Sequence, residues 1–292
     1  MTDITITELP DGSHVGIFEA MASSCEVLVD TTNKDEAFKL AQLAQTEALR
    51  IEQKFSRYRT DNQVHEINNA NGAVVTVDEE LAKLLDFAHT AHEASEGRFD
   101  ITSGVLRKAW TFDGSDNIPK HGTIYELLQH IGWDKVSWNS PDISMPSDMQ
   151  IDLGGIGKEY AVDKTAAIIA SATDTAVLIN YGGDLISTAA PKRGQWTIGI
   201  RTEGTPDVVI NLKQGAIATS GDENRFLLYN NQRYSHVLDA TTGWPAKDAP
   251  RSITVAAANC VQAGLLATMA MLEGKHAEAY LKEVGVTHWA QR

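Results

Sequence analysis

Three glycines precede a lysine in DLGGIGK, residues 152–158, and this run is the part of the chain whose make-up points most directly to chemistry. Glycines ahead of a helix expose backbone amides, and the positive end of the helix adds to them, which suits a phosphate. Lys158 in the first helical turn can add a point charge. Asp152 can accept hydrogen bonds from a ribose or the edge of a heterocycle. The same glycines would serve equally in a plain strand-to-helix turn. The spacing matches neither the P-loop pattern nor the dinucleotide fingerprint GxGxxG.

Weaker signals lie further along. A second glycine pair, in NYGGD at 180–184, reads as the end of a buried strand that runs close to something, either the first glycine turn or a ligand. ATSGD at 218–222 offers two hydroxyls and reads as a capped turn. In SHVLDATTG, 235–243, His236 is read in a strand-like setting ahead of a turn, as a structural residue or a general base near neutral pH. Asp239 starts an Asx-type turn there. Tyr58 and Phe99 follow helical segments and either close a core or line a pocket for an aromatic ring.

The elements that must hold these residues follow from apolar spacing. Phe38, Ala41, Ala48, Leu49 and Ile51 share one face of a helix over 34–55, and Leu81, Leu84, Leu85, Ala88 and Ala91 do so over 79–95. A shorter helix carries Ile124, Leu127, Leu128 and Ile131. Helices are predicted at 158–171, 261–273 and 275–284. Strands are predicted within 14–30 and near 176–181, Trp196–Arg201, Asp207–Leu212, Arg225–Tyr229 and Ile253–Ala257. Strands and helices interleave without a regular βαβ rhythm, which gives an α+β fold with an antiparallel or mixed sheet.

Composition sets the outer bounds. The 292 residues are 42% hydrophobic and 22% charged, enough for a proper core. A net charge of -14 argues against broad nucleic-acid binding, because phosphate backbones need a basic surface. Cys25 and Cys260 fit no metal-ligand spacing and read as buried reduced thiols. No stretch approaches the about 18 apolar residues of a membrane span. No signal peptide or lipobox-like cysteine opens the sequence, so a cytoplasmic location is expected, although a periplasmic protein trimmed of its leader would read the same.

Taken in order, FSRY at 55–58, GRFDIT at 97–102, DLGGIGK at 152–158, NYGGD at 180–184, ATSGD at 218–222, SHVLDATTG at 235–243 and AGLLAT at 263–268, together with Met21, resemble the ApbE family of FAD:protein FMN transferases across nearly the whole chain. The resemblance implies one flavin transferase domain over 1–292, of the ApbE, T-fold-like type, with a mixed or antiparallel sheet flanked by helices. It implies cleavage of the FAD pyrophosphate with Mg2+, transfer of FMN to a Thr or Ser hydroxyl of a target flavoprotein, and release of AMP. By the same resemblance Met21, Tyr58, Arg98, Phe99, Asp100, Asp152, Lys158 and the backbone near Leu238 contact FAD. The carbonyl of Gly155 and the last helix, at positions 264 and 268, hold the metal, and His236 activates the acceptor hydroxyl.

Two positions depart from the family pattern. Where the family places an aspartate four residues before its threonine, this chain has Gly264 before Thr268. Where the family has glycine after the lysine, this chain has Glu159. Magnesium favours oxygen ligands that usually include a carboxylate; FAD phosphates and waters can still complete its shell, and a different acid, such as Asp222 or Asp184, is one replacement for the missing one. Without such a replacement the chain reads as a flavin-binding relative with weak or no transfer. An FAD pyrophosphatase, with water as acceptor, is the remaining alternative.

Overall fold

The computed structural model describes residues 3–200, 208–222 and 225–292. Its centre is an eight-stranded sheet whose strands lie side by side in chain order: β1 (Thr5–Glu8), β2 (His14–Ala20), β3 (Ser23–Val29), β4 (Val177–Tyr181), β5 (Asp184–Ser187), β6 (Gly215–Gly221), β7 (Ser252–Ala257) and β8 (Thr287–Gln291). Every neighbouring pair is antiparallel. Side-chain alternation separates the two faces. Val177, Ile179 and Tyr181 of β4 enter the main core, while Leu178 enters a second cluster with Leu185, Trp196, Ile210 and Ile217. That second face is covered by the hairpin of Trp196–Ile200 with Val208–Leu212. Arg201 and Asp207, expected at the inner ends of these strands, lie outside the described residues.

The first face is covered by helices. α1 (Lys34–Phe55) is capped by the Asn33 side chain, which accepts from the amides of Asp35 and Glu36. Its buried face carries Ala37, Ala41, Ala44 and Ala48, all fully buried, so the helix can approach the sheet closely. At the nearest point a Cβ added to Gly16 on β2 would lie 2.4 Å from the Cβ of Ala41, so no larger residue fits there. Next come α2 (Gln63–Asn69), α3 (Glu79–Ala94), α4 (His121–Leu128) and α5 (Gly157–Ala172), all between β3 and β4. α6 (Cys260–Leu272) and α7 (Ala277–Val284) link β7 to β8. Between β6 and β7 two short hairpins join a lobe built around Val105, Leu106, Trp110, Ile124, Ile131, Leu227 and Ala240. The Trp110 indole N–H donates to the Gly243 carbonyl at 2.9 Å and ties the two insertions together.

The strongest helix periodicities predict their elements to within a residue or two. The reading of 218–222 as a capped turn needs correction, because Gly215–Gly221 is strand β6, paired on both sides. Its small polar residues hid a central strand whose burial comes from the helix above it. Among the described residues no helix is long and apolar enough to cross a membrane. Both cysteines are free and buried, as expected.

A charged network fastens α3 to α1 and α5. Glu80 accepts from Arg50 at 2.7 and 2.8 Å, from Lys54 at 2.5 Å and from the Tyr160 hydroxyl at 2.9 Å. The Arg50 guanidinium foremost, helped by Lys54 and Tyr160 against the cost of burial, holds the Glu80 carboxyl well below the usual carboxylate range. A depressed pKa contributes stability that is complete above the unfolded-state value of about 4.3 and is lost as pH falls below it. Glu80→Gln is expected to cost about 1–3 kcal/mol at pH 7. The difference from the parent protein should shrink in urea titrations repeated at successively lower pH below 4.

Candidate active site

The glycine run is built from both sides. The amide of Asp152 donates to the Ile101 carbonyl at 2.8 Å, and the Asn68 side chain brackets Ile151, accepting from its amide at 2.8 Å and donating to its carbonyl at 3.0 Å. Asp152 Oδ1 accepts from the Gly154 amide at 2.8 Å, and Oδ2 lies 3.3 Å from both Arg57 and Arg107. Gly154 and Gly155 are exposed. The Phe99 ring lies 3.2 Å from the point where a Cβ on Gly155 would sit, so it floors the loop. α5 then begins at Ile156 with no side-chain cap, whereas α1, α3 and α6 are capped by Asn33, Asp78 and Asn259. The amides of Ile156 and Gly157 bond back to the Leu153 carbonyl at 3.0 and 2.7 Å, so this start offers an incoming anion the remaining amides of its first turn.

Lys158 crosses from this helix start to the sheet, where its ammonium lies 2.6 Å from Asp184 Oδ2. Asp184 stands just after the tight turn of Gly182 and Gly183, both at positive φ, as the two central positions of such a hairpin require. A Cβ at Gly182 would lie 2.8 Å from Ser23 Oγ and 3.6 Å from the Lys158 ammonium. The glycine pair therefore passes close to Ser23 and to the end of the Lys158 side chain rather than to the first glycine turn itself. Met21 forms the adjacent β2–β3 turn with Ala22, again at positive φ, and its amide donates to Glu52 at 3.0 Å. Met21 and Lys158 thus come to the same end of the sheet.

α5 and α6 meet antiparallel in a register fixed by Asp163. Its two carboxylate oxygens accept from the amides of Cys260 and Val261 at 2.7 and 2.9 Å, at the start of α6. One turn back along α5 is Glu159, and one turn on along α6 is Gly264. These two residues face each other, and a Cβ built on Gly264 would lie 2.7 Å from Glu159 Cγ. Thr268, a further turn along, donates its hydroxyl to Ser220 of β6 at 3.4 Å. Burial first, and then the charge of Asp184, raises the pKa of Glu159, while burial raises that of Asp184 against the pull of Lys158. Burial disfavours the Lys158 ammonium, but Asp184 and Glu159 outweigh it and its pKa is raised. Asp222, the other acid considered for the metal, is bound to Arg233 at 2.9 Å. Asp184 is the one that faces the helix start.

His236 lies in a bend between the strands Gln232–Ser235 and Leu238–Asp239, not within a strand. Its Nδ1 is buried with no hydrogen-bond partner, and the edge of its ring meets Phe112. The Asx turn expected at Asp239 is present, with Oδ1 accepting from the amide and hydroxyl of Thr241.

Other expected residues are spread more widely. Tyr58 is 74% exposed with the Arg57 guanidinium against its ring. Arg98 pairs with Glu273 beyond the far end of α6. Leu238 packs into the lobe cluster and pairs with Pro245. Asp100 is buried, Oδ1 accepting from the Thr102 amide and hydroxyl and Oδ2 from the Trp133 amide, with His92 Nδ1 at 3.1 Å. Asp100 also borders a cavity lined by His92, Gly97, Gly132 and Thr241, apart from the glycine loop. Sequence reasoning missed Arg57 and Arg107 on Asp152, and gave Glu159 no role. Arg57 sits inside FSRY, so that motif held a usable signal. Glu159 was legible only as an oddity.

Burial foremost, with the positive charge of Arg225, Arg107 and Lys158, pushes the His236 imidazole down to about 4. It is therefore neutral at pH 7. Since the folded value lies below the unfolded one, its contribution to stability is complete above about pH 6.5 and is lost as pH falls toward 4. In the ligand-free protein, NMR titration of the His236 ring should show a midpoint near 4. A midpoint near 6.5 would show that the ring is solvated.

A family profile, described as the ApbE family, matches residues 21–288. An FAD:protein FMN transferase of Treponema pallidum (strain Nichols) is 28% identical over 247 residues, covering 76% of this chain and 68% of that protein. One from Klebsiella pneumoniae (strain 342) is 26% identical over 276 residues, covering 88% and 82%. The crystal structure of an ApbE protein from Thermotoga maritima superposes with a TM-score of 0.85 at 30% identity, over 95% of this chain and 94% of that one. The flavinyl transferase ApbE of Pseudomonas stutzeri, in its apo form, shares the fold with a TM-score of 0.81 at 21% identity, over 98% and 90%. With a profile match that spans nearly the whole chain and a fold shared end to end, this protein belongs to the ApbE family.

Proposed function

We propose that this chain is a Mg2+-dependent FAD:protein FMN transferase, working as one domain over 1–292. The observation that carries the reading is the start of α5, an exposed glycine loop without a side-chain cap and with a lysine beside it. Such a start receives a diphosphate through backbone amides and helix polarity. Phe99 and Met21 border the loop and the neighbouring turn, where the flavin end of FAD finds apolar surface. Asp152, held by Arg57 and Arg107, orients the loop from below.

The donors present fit a hard divalent cation. Thr268 Oγ1, the Gly155 carbonyl and Asp184 Oδ2 are oxygen donors, and Asp184 is 2% exposed with only Lys158 against that oxygen. Among the described residues no group of three or more His, Cys, Asp or Glu side chains forms a metal cluster. Bound there, magnesium would neutralise charge on the phosphate oxygens.

The chain's own groups account for the rest. The acceptor hydroxyl oxygen forms a bond to the FMN phosphorus as the anhydride P–O bond breaks, and AMP leaves with the bridging oxygen. Lys158 and the amides of the α5 start stabilise charge that grows on the phosphates. His236, neutral at pH 7, is the base for the hydroxyl proton, and its Nδ1, buried in the ligand-free protein, has to be uncovered as the acceptor docks. Anionic phosphates nearby raise the affinity of that ring for the proton. The partner this implies is a flavoprotein that presents a Thr or Ser hydroxyl.

The test mixes the chain with FAD, Mg2+ and a flavoprotein domain of an electron-transfer complex. AMP should appear, and the acceptor should gain the mass of FMN and stay fluorescent after denaturation. AMP with no labelled acceptor, at the same rate without it, would support the pyrophosphatase reading. Lys158→Met should lower the rate of AMP formation about 100-fold, the scale for losing one preorganised charge donor.

A further inference from the structure

We propose that Glu159 is a metal ligand of this site and supplies from α5 the carboxylate that position 264 of α6 lacks. The proposal rests on the transferase reading above but concerns a residue to which that reading gives no role. The two departures from the family pattern, an acid at 159 and a glycine at 264, are one exchange between facing helices.

Space is the first argument. A Cβ on Gly264 would lie 2.7 Å from Glu159 Cγ, 2.8 Å from Oε1 and 3.1 Å from Cδ. The Glu159 side chain therefore fills the volume that a side chain at 264 would need. With Glu159 in this conformation there is no room for a side chain at 264, and the exchange keeps one acid at one place. Gly264 costs the interior of α6 about 1 kcal/mol relative to alanine, and clearance for Glu159 is the packing reason for it.

Satisfaction is the second. Glu159 Oε2 is sealed from solvent and has no hydrogen-bond donor. A carboxylate oxygen in that condition is costly unless a cation or donor completes it. The ammonium of the neighbouring Lys158 is already 2.6 Å from Asp184. Two acid side chains thus share one lysine, and as carboxylates they would carry one charge more than that lysine offsets, which a divalent ion would balance.

Register is the third. Asp163 locks α5 to the start of α6, so Glu159 pairs with Gly264 and, one turn on, Thr268 lies against Ser220 of β6. Glu159 and, one turn further along the facing helix, Thr268 then offer oxygen donors of the kind suited to magnesium or manganese.

The experiment titrates Mn2+ into the full chain, with and without FAD, and reads the free ion by electron paramagnetic resonance. The parent protein should bind one ion. Glu159→Gln should weaken binding at least tenfold while its circular dichroism and metal-free FAD binding stay unchanged. The double variant Glu159→Gly, Gly264→Asp should return affinity to within about threefold of the parent, and Gly264→Asp alone should gain nothing because Glu159 occupies its space. Parent-like Mn2+ affinity in folded Glu159→Gln overturns the proposal, as does a parent that binds no Mn2+ in either condition. If the double variant fails to fold, Glu159→Gln decides. A parent that binds Mn2+ through Glu159 yet forms no AMP from FAD would refute the transferase reading and leave the ligand assignment standing.

Discussion

Everything at the candidate site depends on the Asp163 carboxylate capping the start of α6. It places an anion where two helical amides need acceptors and where the helix end is positive. The same contact sets how far α5 is slid along α6. A shift of one turn would move Glu159 away from Gly264 and take Thr268 away from Ser220. A single residue five positions past the lysine of the glycine run thus aligns two segments about a hundred positions apart in the chain.

The second constraint is the sheet. Because its strands follow one another in chain order, the hairpin turns at Met21–Ala22 and Gly182–Gly183 fall at the same end, and β6 runs past them with Ser220. α5 begins over that end. Its amides, Lys158 and the exposed glycines therefore face turns that are tight because their residues adopt positive φ. Backbone supplies most of the polar surface there, which suits a ligand recognised through phosphate oxygens.

Charge balance joins the two. Lys158 alone cannot neutralise Asp184 and Glu159 together, and all three lie where solvent screening is weak. In the Glu80 network, by contrast, cations and a hydroxyl are enough to satisfy both carboxylate oxygens. The contrast between a satisfied network at the helix junction and an unsatisfied one beside the glycine loop separates scaffold from site.

The sequence by itself determined the long helices, because their apolar spacing repeats over several turns, and it determined the family through seven short segments in order. It also isolated the glycine loop, Lys158 and Thr268, since glycine runs and hydroxyls at helical spacing are visible locally. Strand β6 was illegible because only Ala216, Ile217 and Ala218 of its length are buried, under a helix that arrives from elsewhere, while Thr219 and Ser220 read locally as a turn. Asp100 read as a ligand contact, but only the fold showed its oxygens turned to Thr102, Trp133 and His92. The sequence showed Glu159 and Gly264 as two unrelated departures, 105 positions apart. Only tertiary packing made them one feature, because whether an acid has room depends on which residue stands across from it.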